Sequence, residues 1–148
     1  MMIEGVLEQF ILTQDAVTGG LATYEFTTGQ AETPAVFTGR VIPDDAEYPA
    51  IHIESTSPDD FSCRDATGAE IEVDVTLYAN KEMSQATIRA LAWTLYQALN
   101  RADIDSFLQD EGYESWGCIA LPPVPTNDDD SFPAFLVRTT VRVLQNGE

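Results

Sequence analysis

A single histidine, His52, and two cysteines, Cys63 and Cys118, are the side chains of this sequence best suited to nucleophilic chemistry. A thiolate beside an imidazole can attack a carbonyl carbon, but a third group must hold the imidazole in the right tautomer. Nothing in the sequence positions that third group, and one histidine rules out a two-histidine metal site. Acids at Asp44-Asp45, Asp59-Asp60 and Asp128-Asp129-Asp130 would attract divalent cations. None has the alternating ligand spacing and turn glycine of a helix-loop-helix calcium site, and adjacent acids on a loop point apart. A glycine-rich phosphate loop, a nucleophile elbow and a cysteine cluster are missing as well. The expectation is a protein that is not an enzyme and needs no metal or cofactor.

The most ordered charges are Glu70, Glu72 and Asp74, and what orders them is the strand they sit on. From Glu70 to Tyr78 the sequence alternates strictly: Ile71, Val73, Val75 and Leu77 share one face, and the acids and Thr76 share the other. A few residues later the period becomes helical, with Ile88, Leu91, Ala92, Leu95 and Leu99 forming one stripe of about four turns. Ser84 is placed to cap that helix, and Met83 and Ile88 to close a hydrophobic staple. Trp93 lies off the stripe, either on a second edge of the core or at a contact with another subunit.

Around this strand–helix unit the other segments read as additions to one sheet. Ile3, Val6, Leu7, Phe10 and Ile11 predict an opening amphipathic helix. Leu21 to Phe26 and Ala35 to Ile42 predict a hairpin, and Pro49 introduces a strand with Ile51 and Ile53 opposite His52 and Glu54. Ser57–Gly68 and Pro122–Asp130 read as long loops, the second barred from a sheet by its three prolines. Phe61 is the large apolar residue of the first loop. Asp103–Leu108 predicts a short helix, Trp116–Leu121 a strand, and Ala134–Leu144 a long closing strand. On that last strand Phe135, Val137, Thr139, Val141 and Val143 face one way, and Arg138, Thr140 and Arg142 the other. The fold class expected is α+β: a mainly antiparallel sheet packed by an N-terminal helix and one long amphipathic helix, in a single domain spanning residues 1–148.

Composition bounds the partners. With 7 Lys and Arg against 25 Asp and Glu the formal charge is −18, which repels phosphate backbones and anionic membranes. No apolar run reaches membrane-spanning length, and the N-terminus lacks the basic flank and cleavage site of a signal peptide, so a soluble protein that stays where it is made is expected.

The order of elements resembles the tail-completion, or tail-terminator, family of tailed bacteriophages. The likeness runs through the N-terminal helix, Thr38-Gly39-Arg40-Val41-Ile42-Pro43, Tyr48-Pro49-Ala50-Ile51, Ile71-Glu72-Val73-Asp74-Val75, the Ser84–Arg101 helix and the closing strand with its arginines. The Asp15–Pro34 segment is longer, and the charge more acidic, than the family pattern. The resemblance implies a structural virion protein at the head–tail junction, forming a ring, usually a hexamer. That ring would cap the tail tube, end its polymerisation and dock a neck or head-completion protein, leaving a hole through which DNA passes without specific binding. A heterologous interface that closes after six copies would set the geometry. No cofactor and no membrane contact is implied.

Within that reading Glu70, Glu72 and Asp74 would line the lumen, and Trp93, Phe61, Asp128, Asp129 and Asp130 would make subunit or docking contacts. Arginines Arg138 and Arg142 compete for the same acids as cross-strand partners. Two other classes remain open at this point. An acidic mimic of DNA would occupy a nucleic-acid-binding protein, and a small hydrolase would need a convergent site that the sequence does not display.

Overall fold

Strict alternation between Glu70 and Tyr78 gives a strand of ten residues, Ala69–Tyr78, whose Ile71, Val73, Val75 and Leu77 are all essentially inaccessible to solvent. It is the third strand of a sheet built in the computed structural model, which describes residues 3–38, 42–55, 69–80, 82–108, 113–126 and 133–145. In chain order the elements are α1 (Ile3–Leu12), α2 (Asp15–Thr18), β1 (Thr23–Tyr24), β2 (Thr33–Pro34), β3 (Val36–Thr38), β4 (Ala50–Ser55) and β5 (Ala69–Tyr78). There follow α3 (Gln85–Leu99), α4 (Asp105–Leu108), β6 (Tyr113–Ala120), β7 (Val124–Thr126) and β8 (Ala134–Gln145). The main sheet runs β3-β4-β5-β8-β6, with β7 also on β8; only the β3–β4 pair is parallel. This is the expected α+β architecture.

Helices press on one face of the sheet. Ile88, Ala92, Leu95 and Leu99 of α3, and Ile3, Leu7 and Ile11 of α1, join the inward residues of β4, β5 and β8 in one apolar core. Ser84 caps α3 as its sequence suggests: its Oγ accepts from the Thr87 N–H at 3.1 Å, and Met83 packs against the core. On α1 the buried Glu4 is satisfied by the Ser55 N–H at 3.1 Å, which fixes the helix to the end of β4. Leu91 is only half-buried because it meets the turn after α2. A Cβ on Gly20 would come within 2.9 Å of the Leu91 Cδ1, so a glycine lets the two elements touch.

Two expectations are corrected. The predicted hairpin is divided: Thr23–Tyr24 does pair antiparallel with Thr33–Pro34, but only as a separate two-stranded sheet. The predicted second arm, Ala35–Ile42, begins after these residues, and its Val36–Thr38 runs parallel with Ile51–Ile53 instead. Burial decides this, because Val36 reaches the main core only by joining β4. The Pro122–Asp130 segment also contains a strand after all, since Val124–Thr126 pairs with Ala134–Leu136. Pro125 is tolerated there because an edge strand has a side on which no donor is required. Neither α2 nor β7 is expected from the sequence pattern.

The outer edge of β6 is closed by the chain itself. Arg101 takes a left-handed backbone (φ 64°), and its N–H donates to the Cys118 carbonyl at 2.6 Å. The Ala120 N–H donates to Asn100 Oδ1 and the Ser115 N–H to Asp105 Oδ1. These bonds occupy ladder positions that would otherwise accept another strand. The register slips between Ser115 and Gly117, a bulge at which Gly117 takes φ 152°.

Cys118 faces the core, and burial pushes its thiol up to about 11 from an ordinary 9. The neutral thiol is therefore favoured by folding. Below about pH 9 the contribution is complete; above it the unfolded chain releases a proton that the folded chain retains, so stability falls until about pH 11. On the order of 2–3 kcal/mol should be lost across that window. Urea titrations of wild type and Cys118→Ala between pH 8 and 11 check this. An identical pH slope in the two proteins would remove Cys118 as the cause.

Candidate functional site

The second face of the sheet is not covered by α1, α3 or α4, and its side chains can be placed row by row from the register. Glu54, Asp74 and Arg138 form one row, Glu72, Thr140 and Ile119 the next, and Glu70, Arg142 and Gly117 the last. Period-two alternation puts them all on this face, since their neighbours along each strand are buried. Acids occupy the middle strands, arginines sit on β8, and apolar residues line the β6–β7 flank.

Arg138 Nε donates to Asp74 Oδ1 at 3.2 Å, and Arg142 Nε to Glu70 Oε2 at 2.7 Å. The pairing is physically useful because Glu54 and Asp74 stand directly opposite each other, a like-charge placement that costs stability unless a cation intervenes. Of the residues singled out from sequence, Glu70 and Glu72 are exposed and Asp74 is partly covered. The three do form a row, together with two arginines and Glu54. Each pair should contribute only about 0.2–1 kcal/mol, because its members keep access to solvent. A double-mutant cycle on Asp74 and Arg138, read by urea denaturation, should return a coupling within that range; a coupling of zero would mean the contact adds nothing to stability.

Trp93 is 42% exposed on α3 and stacks edge-on to Tyr96, ring centroids 5.3 Å apart. It lies on the helical layer, away from the acid–arginine rows. Phe61, Asp128, Asp129 and Asp130, as well as Cys63, Asp59-Asp60, the Ser57–Gly68 loop and Gly39-Arg40-Val41, lie outside the described residues.

The sequence reading missed the apolar flank. Ile119, Leu121 and Val124 are 49%, 55% and 55% exposed, and all three belong to the open face. The signal for Ile119 was present in its alternation with the buried Cys118 and Ala120. Leu121 and Val124 are placed by a backbone bond from the Leu121 N–H to the Arg138 carbonyl and by the β7–β8 register, and neither follows from local pattern.

His52 stands beside Thr76 on the same face, at the margin of a shallow polar hollow of about 290 Å³ shared with Glu54, Asp74 and Tyr78. Its Nε2 is buried and has no hydrogen-bond partner among the described residues. Cys118 is on the opposite face, so the sheet itself separates the two groups that a thiol–imidazole pair would need to join. Among the described residues no cluster of three or more His, Cys, Asp or Glu side chains could hold a metal ion, and no helix is long and apolar enough to cross a membrane. Comparison of the sequence with models of known protein families returns no match, and comparison with curated protein sequences returns none either.

Proposed function

We propose that this protein is a structural subunit of a phage tail: a ring, most simply a hexamer, that closes the end of the tail tube and offers a surface to a neck or head-completion protein. The observation that carries the reading is the sheet with one face free of helices, charged along its middle and apolar along its β6–β7 flank. A flank of three half-exposed aliphatic residues beside ion-paired strands suits protein–protein contact, where an apolar centre is framed by a polar rim. The closed β6 edge supports the same reading from another side, because subunits would meet through side chains and a defined rotation instead of by open-ended strand addition. The virion is the location this implies, with DNA passing through the ring unbound, and no catalytic chemistry, metal or cofactor enters the proposal.

An acidic mimic of DNA fits less well. A mimic presents acids at phosphate-like spacing, free to meet a basic partner, whereas Asp74 and Glu70 are already held by arginines. The test is tube assembly in the presence of the protein. Tail-tube protein assembled with it should give tubes of limited length with a ring visible at one end by electron microscopy. An Ile119→Asp, Val124→Asp double variant should fold and lose the ring. Unchanged tube lengths and bare tube ends with the wild-type protein would overturn the proposal.

A further inference from the structure

Glu4 and Glu8 lie one turn apart on α1, yet only the first is satisfied. Glu4 accepts the Ser55 N–H, whereas Glu8 has no donor among the described residues. Burial raises its carboxyl above its ordinary value, and no cation among the described residues offsets that burial. Glu8 forms one wall of a hollow of about 400 Å³ between α1 and β3. Tyr24, Phe26 and Phe37 form another, a cluster of rings with centroids 5.1–5.3 Å apart. Phe26 is left 46% exposed at the mouth. A second acid stands close by, since the Tyr24 hydroxyl donates to Asp45 Oδ1 at 3.0 Å.

This combination selects its ligand. An anion would be repelled by Glu8, Asp45 and the −18 charge of the chain. A neutral apolar group would fill the aromatic side and bury Glu8 further with nothing to pair it. A hard metal ion takes six or more oxygens, and no acidic cluster of that kind is present among the described residues. An organic cation matches both walls, because aromatic faces attract positive charge and a carboxylate completes the pair. Among cations a guanidinium is favoured over an ammonium: it is planar, weakly hydrated, stacks on rings and forks onto a carboxylate.

We infer that the hollow between Glu8 and the Tyr24–Phe26–Phe37 rings is a binding site for an arginine side chain presented by a basic partner protein. The strong negative charge of the chain would draw such a partner in, and the hollow would fix where its arginine lands. The site is on a different part of the molecule from the β6–β7 flank and does not depend on the ring assignment.

N-acetyl-arginine amide serves as the probe, titrated into the full chain and followed by NMR of the aromatic rings and of the glutamate side-chain carboxyls. The expected result is saturable shifts confined to Glu8, Tyr24, Phe26 and Phe37. Affinity should fall about tenfold or more in Glu8→Gln, which keeps the shape and removes the charge. It should fall about threefold or more in Phe26→Leu, a change at an exposed ring that leaves the core intact. Equal binding of the uncharged citrulline analogue, or shifts spread over the whole acidic surface, would overturn the site. Equal or tighter binding of N-acetyl-lysine amide would overturn the guanidinium assignment. Tighter binding in an Arg40→Gln background would show that this chain supplies the guanidinium itself, and would overturn the external partner.

Discussion

Replacing Leu95 with Ala is expected to lower the unfolding free energy by about 2–5 kcal/mol. Leu95 is completely buried at the centre of the α3 stripe, between Ala92 and Leu99, and belongs to the core shared with β5 and β8. Truncation removes an isopropyl group from the apolar interior and leaves a void that packed neighbours fill only in part. Helix propensity does not explain the loss, because Ala is the better helix former and would act in the opposite direction. For a chain of 148 residues each kcal/mol corresponds to about 2–4 °C, so the melting temperature should drop by about 4–20 °C. Gln97→Ala, on the exposed side of the same helix, is the control. Leu91→Ala should fall between the two, since Leu91 is only half-buried against the Gly20 turn. Equal melting of the Leu95 and Gln97 variants would mean that α3 does not dock on the sheet through this stripe.

The same helix shows why this part of the fold is readable from sequence. An element with one buried side must repeat its apolar residues at its own period, and α3 does so for four turns while β5 does so over ten residues. Ser84 completes the signal, because a helix start needs an acceptor for its free N–H groups and only a few residue types supply one. Thr33–Thr38 carries no such signal. Within six residues the chain forms the second arm of a small hairpin and then the first strand of the main sheet, so neither segment is long enough to display a period. Proline misleads at β7 for a different reason. Residue type states that Pro125 lacks a donor, but whether a donor is needed depends on which strand lies alongside, and that is settled by contacts distant in sequence.

The surface features divide in the same way. The acid row was legible as alternation, and its arginine partners as the opposing alternation on β8, because both strands bury their other face. That Arg138 meets Asp74 and Arg142 meets Glu70 is a matter of register, which alternation constrains to every second residue without choosing among the possibilities. The Glu8 hollow combines residues from separate elements, and the Ile119–Leu121–Val124 flank, though local in sequence, is laid out by the pairing of β6 and β7 with β8. Composition gives no hint of either. In the sequence Phe26 is an aromatic in a weak strand, and only the fold brings its ring to the same hollow as a carboxyl that has no partner among the described residues.

Changing Glu70, Glu72 and Asp74 together to Gln, Gln and Asn is expected to leave the fold in place and, under the proposed tail-ring function, to make DNA cling to the ring. The fold should persist because the acids lie on the open face and each ion pair lost is worth only about 0.2–1 kcal/mol. The electrostatic consequence is larger. Among the described side chains on this face four acids, Glu54 included, outnumber Arg138 and Arg142; once three are neutral, the two arginines outnumber the one of these that remains. If this face lines the passage, a wall that repelled the duplex becomes one that attracts it, against a charge every ~1.7 Å of helix axis. Two new arginine–phosphate contacts per subunit should each lose roughly half a decade of affinity between about 50 and 200 mM salt, so over that range retention should fall about tenfold for every subunit that engages. Release from virions carrying the triple change should slow, and raising the salt concentration should restore it, because the attraction depends on counterion release. The net charge changes by the same amount wherever the row faces, so isoelectric focusing cannot decide the matter and ejection kinetics can. Wild-type kinetics at low salt, in virions shown to contain the variant, would place the acid row away from the DNA.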